Sequence, residues 1–188
     1  MIAGQYRSRP LRSLRGMEIR PTADRLRESL FDVLTAGNPA ALEGYVWIDL
    51  YAGTGAVGIE ALSRGARHVY FVESSPAAAK LIRQNLSSLQ IKDGYEIVRI
   101  DVLRALRQLD ERAVVADIVF LDPPYRMGHA YRATLEYLEK SSLVNEATRV
   151  IAEHQKQTDL GEQFGSLRRY RKLPQGEGAL SFYRRSEI

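Results

Sequence analysis

Four short strand-like runs, each leading into a stretch of helical periodicity, constrain this chain more than any other feature. They are Val46-Trp47-Ile48-Asp49-Leu50, Val69–Glu73, about Tyr95–Ile100 and Asp117–Asp122. Several of them are continuously apolar, as strands covered on both faces are. After the second, Ser75 is an N-cap and Pro76 suits the first helical position. Ala78, Leu81, Ile82, Leu86 and Leu89 then share one helical face. An earlier helix, Thr22–Ala36, aligns Leu26, Leu30, Val33 and Leu34, with Thr22 as N-cap and Asp24 in the first turn. Short helices over 57–63, after Asp101 and over about 130–141, a strand near Thr148–Ala152 and a hairpin over about 167–184 complete the reading. This alternation predicts an open, doubly wound α/β sheet, mostly parallel, with helices on both faces and an antiparallel edge from the late strand pair.

The length of 188 residues suits one domain, read as a basic arm over 1–21 and a domain over 22–188. The absence of cysteine excludes disulfides, thiolate catalysis and zinc–thiolate sites. His68, His129 and His154 lack the mutual spacing of a metal site, so no metal is expected. No apolar run approaches a membrane span and the N-terminus lacks the apolar core of a secretory signal, which predicts a cytoplasmic protein with no membrane partner. The net charge of +4 is unevenly spread. Arg7, Arg9, Arg12, Arg15, Arg20, Arg25 and Arg27 crowd the first part of the chain, and Arg168, Arg169, Arg171 and Lys172 form a second cluster. Such clusters attract a phosphate backbone, and they also occur as merely solvated surface.

Ligands of these sheets bind beyond the C-terminal strand ends. The first strand runs there into Asp49-Leu50-Tyr51-Ala52-Gly53-Thr54-Gly55-Ala56-Val57-Gly58, a G-x-G-x-x-G spacing that opens a helix. Such glycines turn the backbone tightly and let a ligand approach without an intervening Cβ. The spacing alone serves a dinucleotide or a structural turn. Glu73, at the second strand end, can accept hydrogen bonds from a ribose diol, in an NAD site or an S-adenosylmethionine site. Asp101, at the third, can accept from an adenine amine or simply cap a helix. Acidic residues at successive strand ends suit a ligand carrying an ammonium, a ribose and an adenine better than a pyrophosphate.

Asp122-Pro123-Pro124-Tyr125 closes the fourth strand. The lone pair of an exocyclic amine is delocalised into its ring, which makes the amine hard to methylate. A carboxylate at Asp122 and the Pro123 carbonyl can accept the amine protons and favour a pyramidal nitrogen, a stabilisation that grows toward the transition state. The prolines fix the backbone so that the acceptors are already aimed. Tyr125 offers a ring on which an extruded base can stack.

The combination of DLYAGTG, Glu73 and DPPY resembles the amino-methyltransferases of the Rossmann-like, class I S-adenosylmethionine fold. Gly4-Gln5-Tyr6-Arg7-Ser8-Arg9-Pro10-Leu11, the stretch Arg20–Phe31 and Ser181-Phe182-Tyr183-Arg184 resemble the bacterial RsmD-type family over nearly the whole chain. The resemblance implies a seven-stranded, mostly parallel sheet with an antiparallel last strand. It implies methyl transfer from S-adenosylmethionine, leaving S-adenosylhomocysteine, to N2 of a guanine in 16S ribosomal RNA. The substrate would be RNA within a small ribosomal subunit or an assembly intermediate, and the enzyme a monomer. Residue by residue, it implies that Asp49, Gly53 and Gly55, with Tyr51 beside them, hold the methionine part. Glu73 and Ser74 would take the ribose, Asp101 and Val102 the adenine, and Arg20 and Thr22 would lie over the cofactor. Asp122, Pro123, Pro124 and Tyr125 would receive the guanine, and Arg7, Arg9, Arg12 and Arg15 the RNA.

Other functions fit some of the same residues. DPPY also suits adenine-N6 methylation of DNA or RNA, and a related motif with Asn serves glutamine-N5 methylation. The glycine spacing permits an NAD-dependent oxidoreductase, which leaves DPPY without a purpose. A non-catalytic RNA-binding or ribosome-assembly factor could retain the fold, and a cofactor-binding assay separates it from the enzymes.

Overall fold

The computed structural model describes residues 1–13, 21–124 and 127–186, with the backbone alone at 21–23. Arg15, Arg20 and Tyr125 lie outside the described residues, as does the side chain of Thr22. The elements follow the order α1 (Pro21–Thr35), β1 (Val46–Leu50), α2 (Ala56–Ser63), β2 (His68–Val72), α3 (Pro76–Ser88), β3 (Tyr95–Val98), α4 (Val102–Glu111), β4 (Ile118–Leu121), α5 (Gly128–Leu138), β5 (Arg149–Gln155), β6 (Gln163–Phe164), β7 (Leu167–Gln175) and β8 (Gly178–Arg185). The sheet has the order β3-β2-β1-β4-β5-β8-β7-β6. Strands β1 to β5 are parallel, and β8 lies antiparallel between β5 and β7.

The doubly wound expectation holds, with eight strands among the described residues where the resemblance implied seven. The additional one is β6, two residues paired with the start of β7. The last strand is antiparallel as expected. Two local readings are corrected. Helix α1 already contains Pro21 and Thr22, so Thr22 lies inside the first turn rather than capping it. Strand β3 ends at Val98, so Asp101 stands off the strand as the N-cap of α4, its side chain accepting from Arg104 N at 3.1 Å. The Ser75 cap of α3 forms as read, with Pro76 following it.

The two faces of the sheet bury separate cores, because successive side chains of a strand point to opposite sides. Trp47, Phe71, Phe120, Ile151 and Leu180 pack with α1, α2 and α3 on one face. Ile48, Leu50, Val72, Leu121 and Ala152 pack with α4 and α5 on the other. Trp47 is fully buried and stacks on Phe31 of α1 at 5.6 Å between ring centroids, a core residue as its strand position predicted. Among the described residues no helix is long and apolar enough to cross a membrane.

The arm is docked where it is described. Ile2 N and Ala3 N donate to the Glu60 carboxylate of α2 at 2.8 and 2.9 Å, and Tyr6 N donates to Ser63 Oγ at 3.0 Å. Arg12 N donates to Asn85 Oδ1 of α3 at 2.8 Å. Main-chain groups of a segment outside helix and strand must find partners when they leave water. The buried polar residues Glu60, Ser63 and Asn85 supply them.

Candidate active site

Register brings the strand ends level. Leu50 pairs with Val72 and Leu121, and Leu121 pairs with Ala152. One residue further along each strand stand Tyr51, Glu73, Asp122 and Glu153. The parallel sheet thus gathers onto one edge groups that are far apart in sequence.

The glycine turn lies at the centre of that edge. Gly55 has φ +77°, a left-handed conformation that costs glycine nothing. Gly55 occupies the N-cap of α2 and offers no side chain to the helix. Asp49, inside β1 and buried, supplies the cap instead, its Oδ2 accepting from Gly58 N at 3.0 Å. Gly58 permits this approach, because a Cβ there would collide with Phe71 and stand 2.8 Å from Val69 Cγ1. Glu73 braces the turn from β2, accepting from Gly53 N at 2.9 Å and from Ser75 N at 2.8 Å. Asn85 donates to the carbonyl of Thr54 at 3.0 Å and to that of Arg12 at 3.1 Å, joining the turn to the arm.

Of the expected site residues, Asp49, Gly53, Gly55, Glu73 and Asp122 come together around this turn. Tyr51 adopts φ +61° beside them, its hydroxyl 3.4 Å from Thr134 Oγ1. Ser74 is exposed next to Glu73. Val102 is buried in the core under α4, so only its backbone can serve a ligand, and Asp101 is exposed at the head of that helix. Pro123 is buried and Pro124 exposed beyond β4. His154 is fully buried, with Ser181 Oγ at 2.8 Å. The exposed His129 sits in the first turn of α5.

The site is an electrostatically strained acidic cluster. Burial, above all, holds the Asp49 carboxyl well above its usual range; the Gly58 N–H opposes this, and the charges of Asp122 and Glu73 add to it. Burial pushes Asp122 up to about 7. Glu153, which the sequence pattern did not single out, is held well above its usual range by burial and by the charge of Asp122, against the pull of Arg27. Such a cluster favours a ligand that brings positive charge and N–H donors.

Asp122 couples the stability of the fold to pH. Its folded value of about 7 exceeds the ordinary 3.8, so between the two the folded state keeps a proton that the unfolded chain releases. Stability therefore falls as pH rises through that window. Asp122→Asn, neutral throughout, is expected to raise the melting temperature by about 2–4 °C at pH 8, the response to roughly 1 kcal/mol in a domain of this size. Differential scanning fluorimetry should show that gain shrinking toward pH 5. A gain equal at both pH values would contradict the assignment.

The model of the family described as Conserved hypothetical protein 95 matches residues 1–184. The chain is 30% identical to Ribosomal RNA small subunit methyltransferase D of Escherichia coli K12, across 98% of this chain and 89% of that protein. It is 35% identical to the Haemophilus influenzae protein of the same name, across 71% and 67% of the two chains. The solved structure of a hypothetical protein from Thermus thermophilus superposes with a TM-score of 0.79 at 28% identity, across 96% of this chain and 95% of that one. With the expected sheet and an almost end-to-end family match, the chain belongs to the Conserved hypothetical protein 95 family, the RsmD-type methyltransferases.

Proposed function

We propose that this protein transfers the methyl group of S-adenosylmethionine to the exocyclic N2 of a guanine in 16S ribosomal RNA. The observation that carries the reading is the adjacency of Asp122 and Pro123, beyond β4, to a glycine turn braced by Asp49 and Glu73. The relatives named for small-subunit ribosomal RNA methylation support the substrate class.

The residues fit the cofactor by charge. S-adenosylmethionine carries an ammonium and a sulfonium, and the turn presents two buried or half-buried carboxylates. Asp49 and the Gly53–Gly55 turn would hold the methionine part, Glu73 the ribose diol, and the Asp101–Val102 segment the adenine. When bound, the cofactor supplies an electrophilic methyl group. The chain's own contribution is to orient the acceptor amine and take its protons. Asp122 and the Pro123 carbonyl accept the two N2 protons, which directs the nitrogen lone pair out of conjugation. With a value of about 7, Asp122 is poised to receive the released proton near neutral pH. Tyr125 would stack on the flipped base, with Arg20 and Thr22 lying over the cofactor.

Arg7, Arg9, Arg12 and Arg15 would meet the RNA backbone. Arg7, Arg9 and Arg12 are exposed, and Arg12 lines a groove of about 410 Å³ with Arg83, Gln84, Ser87 and Ser88. Replacing all four arm arginines with Ala is expected to weaken RNA binding and reduce the slope of log K against log salt by about 0.7–0.9 for each phosphate that is no longer neutralised. Filter binding between 50 and 200 mM salt measures that slope. An unchanged slope would remove the arm from the RNA interface.

The reaction is tested by transfer of labelled methyl groups to purified small ribosomal subunits lacking their own base methylations, with duplex DNA in parallel. Label in the ribosomal RNA alone is the expected result. Label in DNA alone would overturn the substrate class. Cofactor binding without transfer to either would leave a binding function in place of an enzymatic one.

A further inference from the structure

Beside the amine acceptors, β5 brings one more carboxylate to the same edge. Glu153 is the neighbour of Asp122 in the β4–β5 register and shares the α1 face with Ile151, two residues before it. Its backbone is held rigidly, paired with Leu180 of β8 and accepting from Tyr131 Oη at 2.7 Å. Its carboxylate makes no hydrogen bond or ion pair among the described residues; the charges of Asp122 and Arg27 are what act on it. Arg27 reaches this region from α1. One terminal nitrogen pairs with Asp24 at 3.0 Å, while its Nε is buried without a hydrogen-bond partner among the described residues. Buried polar groups are normally satisfied, so the unpartnered Nε of Arg27, close enough for its charge to act on a half-buried carboxylate that no protein donor engages, points to a ligand that engages both.

The chemistry of a base edge matches this arrangement. The charge of Asp122 acts on both Asp49 and Glu153, and that of Arg27 acts on Glu153 in turn. The pairing edge of guanine presents the N2 amine, then the N1–H donor, then the O6 acceptor. Adenine offers an amine followed by the lone pair of its N1, which a carboxylate repels. Resting on the guanine-N2 reaction proposed above, we infer that Glu153 determines base specificity, its carboxylate accepting N1–H of the target guanine while Arg27 donates to O6. Burial and the charge of Asp122 make the ionised Glu153 unfavourable in isolation, and the N1–H and guanidinium donors compensate that cost. The device works by exclusion as much as attraction, because a base lacking N1–H leaves the carboxylate buried and unpaired.

The test compares two RNAs: one carrying the guanosine that the wild-type enzyme methylates, the other carrying 2-aminopurine riboside at that position. 2-Aminopurine keeps the N2 amine and has neither N1–H nor O6. Wild-type enzyme is expected to favour guanosine by about 100-fold or more in single-turnover kcat/KM. Glu153→Ala should lower the guanosine rate about 100-fold and cut the preference to about tenfold, the part that the Arg27–O6 contact carries, with S-adenosylmethionine affinity retained. Glu153→Gln, whose amide oxygen still accepts, should recover much of the guanosine rate. A Glu153→Ala enzyme that binds cofactor and keeps the full preference would overturn the inference. So would a wild-type enzyme that does not distinguish the two RNAs, a result that needs no variant to fold. Failure of the wild type to methylate the guanosine RNA would instead overturn the underlying reaction.

Discussion

Asp122→Ala is expected to lower methyl transfer about 1000-fold while S-adenosylmethionine binds within a few-fold of wild type. The carboxylate is the acceptor whose interaction strengthens as the amine becomes pyramidal, so its loss falls on the chemical step rather than on binding. The Pro123 carbonyl remains and sustains a residual rate. The wild-type rate should rise with pH through about 7, where Asp122 loses its proton, and the residual rate of the variant should not follow that rise. Single-turnover transfer and calorimetric titration of the cofactor measure the two effects separately. A variant with normal turnover would remove Asp122 from the mechanism, and one that fails to bind cofactor would make it a binding residue.

Glu60→Ala is expected to cost about 3 kcal/mol and lower the melting temperature by about 6–12 °C. Glu60 is fully buried and has three partners: the amides of Ile2 and Ala3 and the Nε of Arg64 at 2.9 Å. Truncation leaves the Arg64 guanidinium, only 9% exposed, without its counter-charge and frees two backbone donors. Arg64 also lies over the Phe31 ring at 4.7 Å, so its displacement reaches the α1 core. The released arm should become a trypsin target at Arg7 and Arg12. Calorimetry and timed proteolysis check both consequences. A melting temperature within about 1 °C of wild type would mean that the arm is held by its other partners, Ser63 and Asn85.

Architecture was legible in the sequence where burial on two faces forces a continuous apolar run. The β1 and β4 segments are buried throughout, and the turn chemistry at Ser75–Pro76 agrees with the helix it opens. DPPY was legible because prolines at a strand end are a local signal. The acidic partners were harder to place. Asp49 reads as a strand residue just before the glycine turn, and its part as the remote cap of α2 is not legible, because that role arises only where a glycine at the N-cap cannot serve the helix itself. Glu153 is not legible because the apolar run of the fifth strand stops at Ala152, ahead of the polar Glu153, His154 and Gln155. The two-residue alternation from Ile151 to Glu153 is the signal that marks it as facing α1. Glu60 occupies what sequence periodicity cannot identify as buried, since the cover is the arm, some 57 residues away in sequence. Strand β6, two residues long, carries no pattern at all.

The most direct measurement of the central claim is mass spectrometry of nucleosides from small-subunit RNA methylated by the purified enzyme. N2-methylguanosine at a single position, formed about 1000-fold more slowly with Asp122→Ala, is the predicted result. N6-methyladenosine as the product would retain the fold and the amine acceptors and contradict the guanine-N2 assignment.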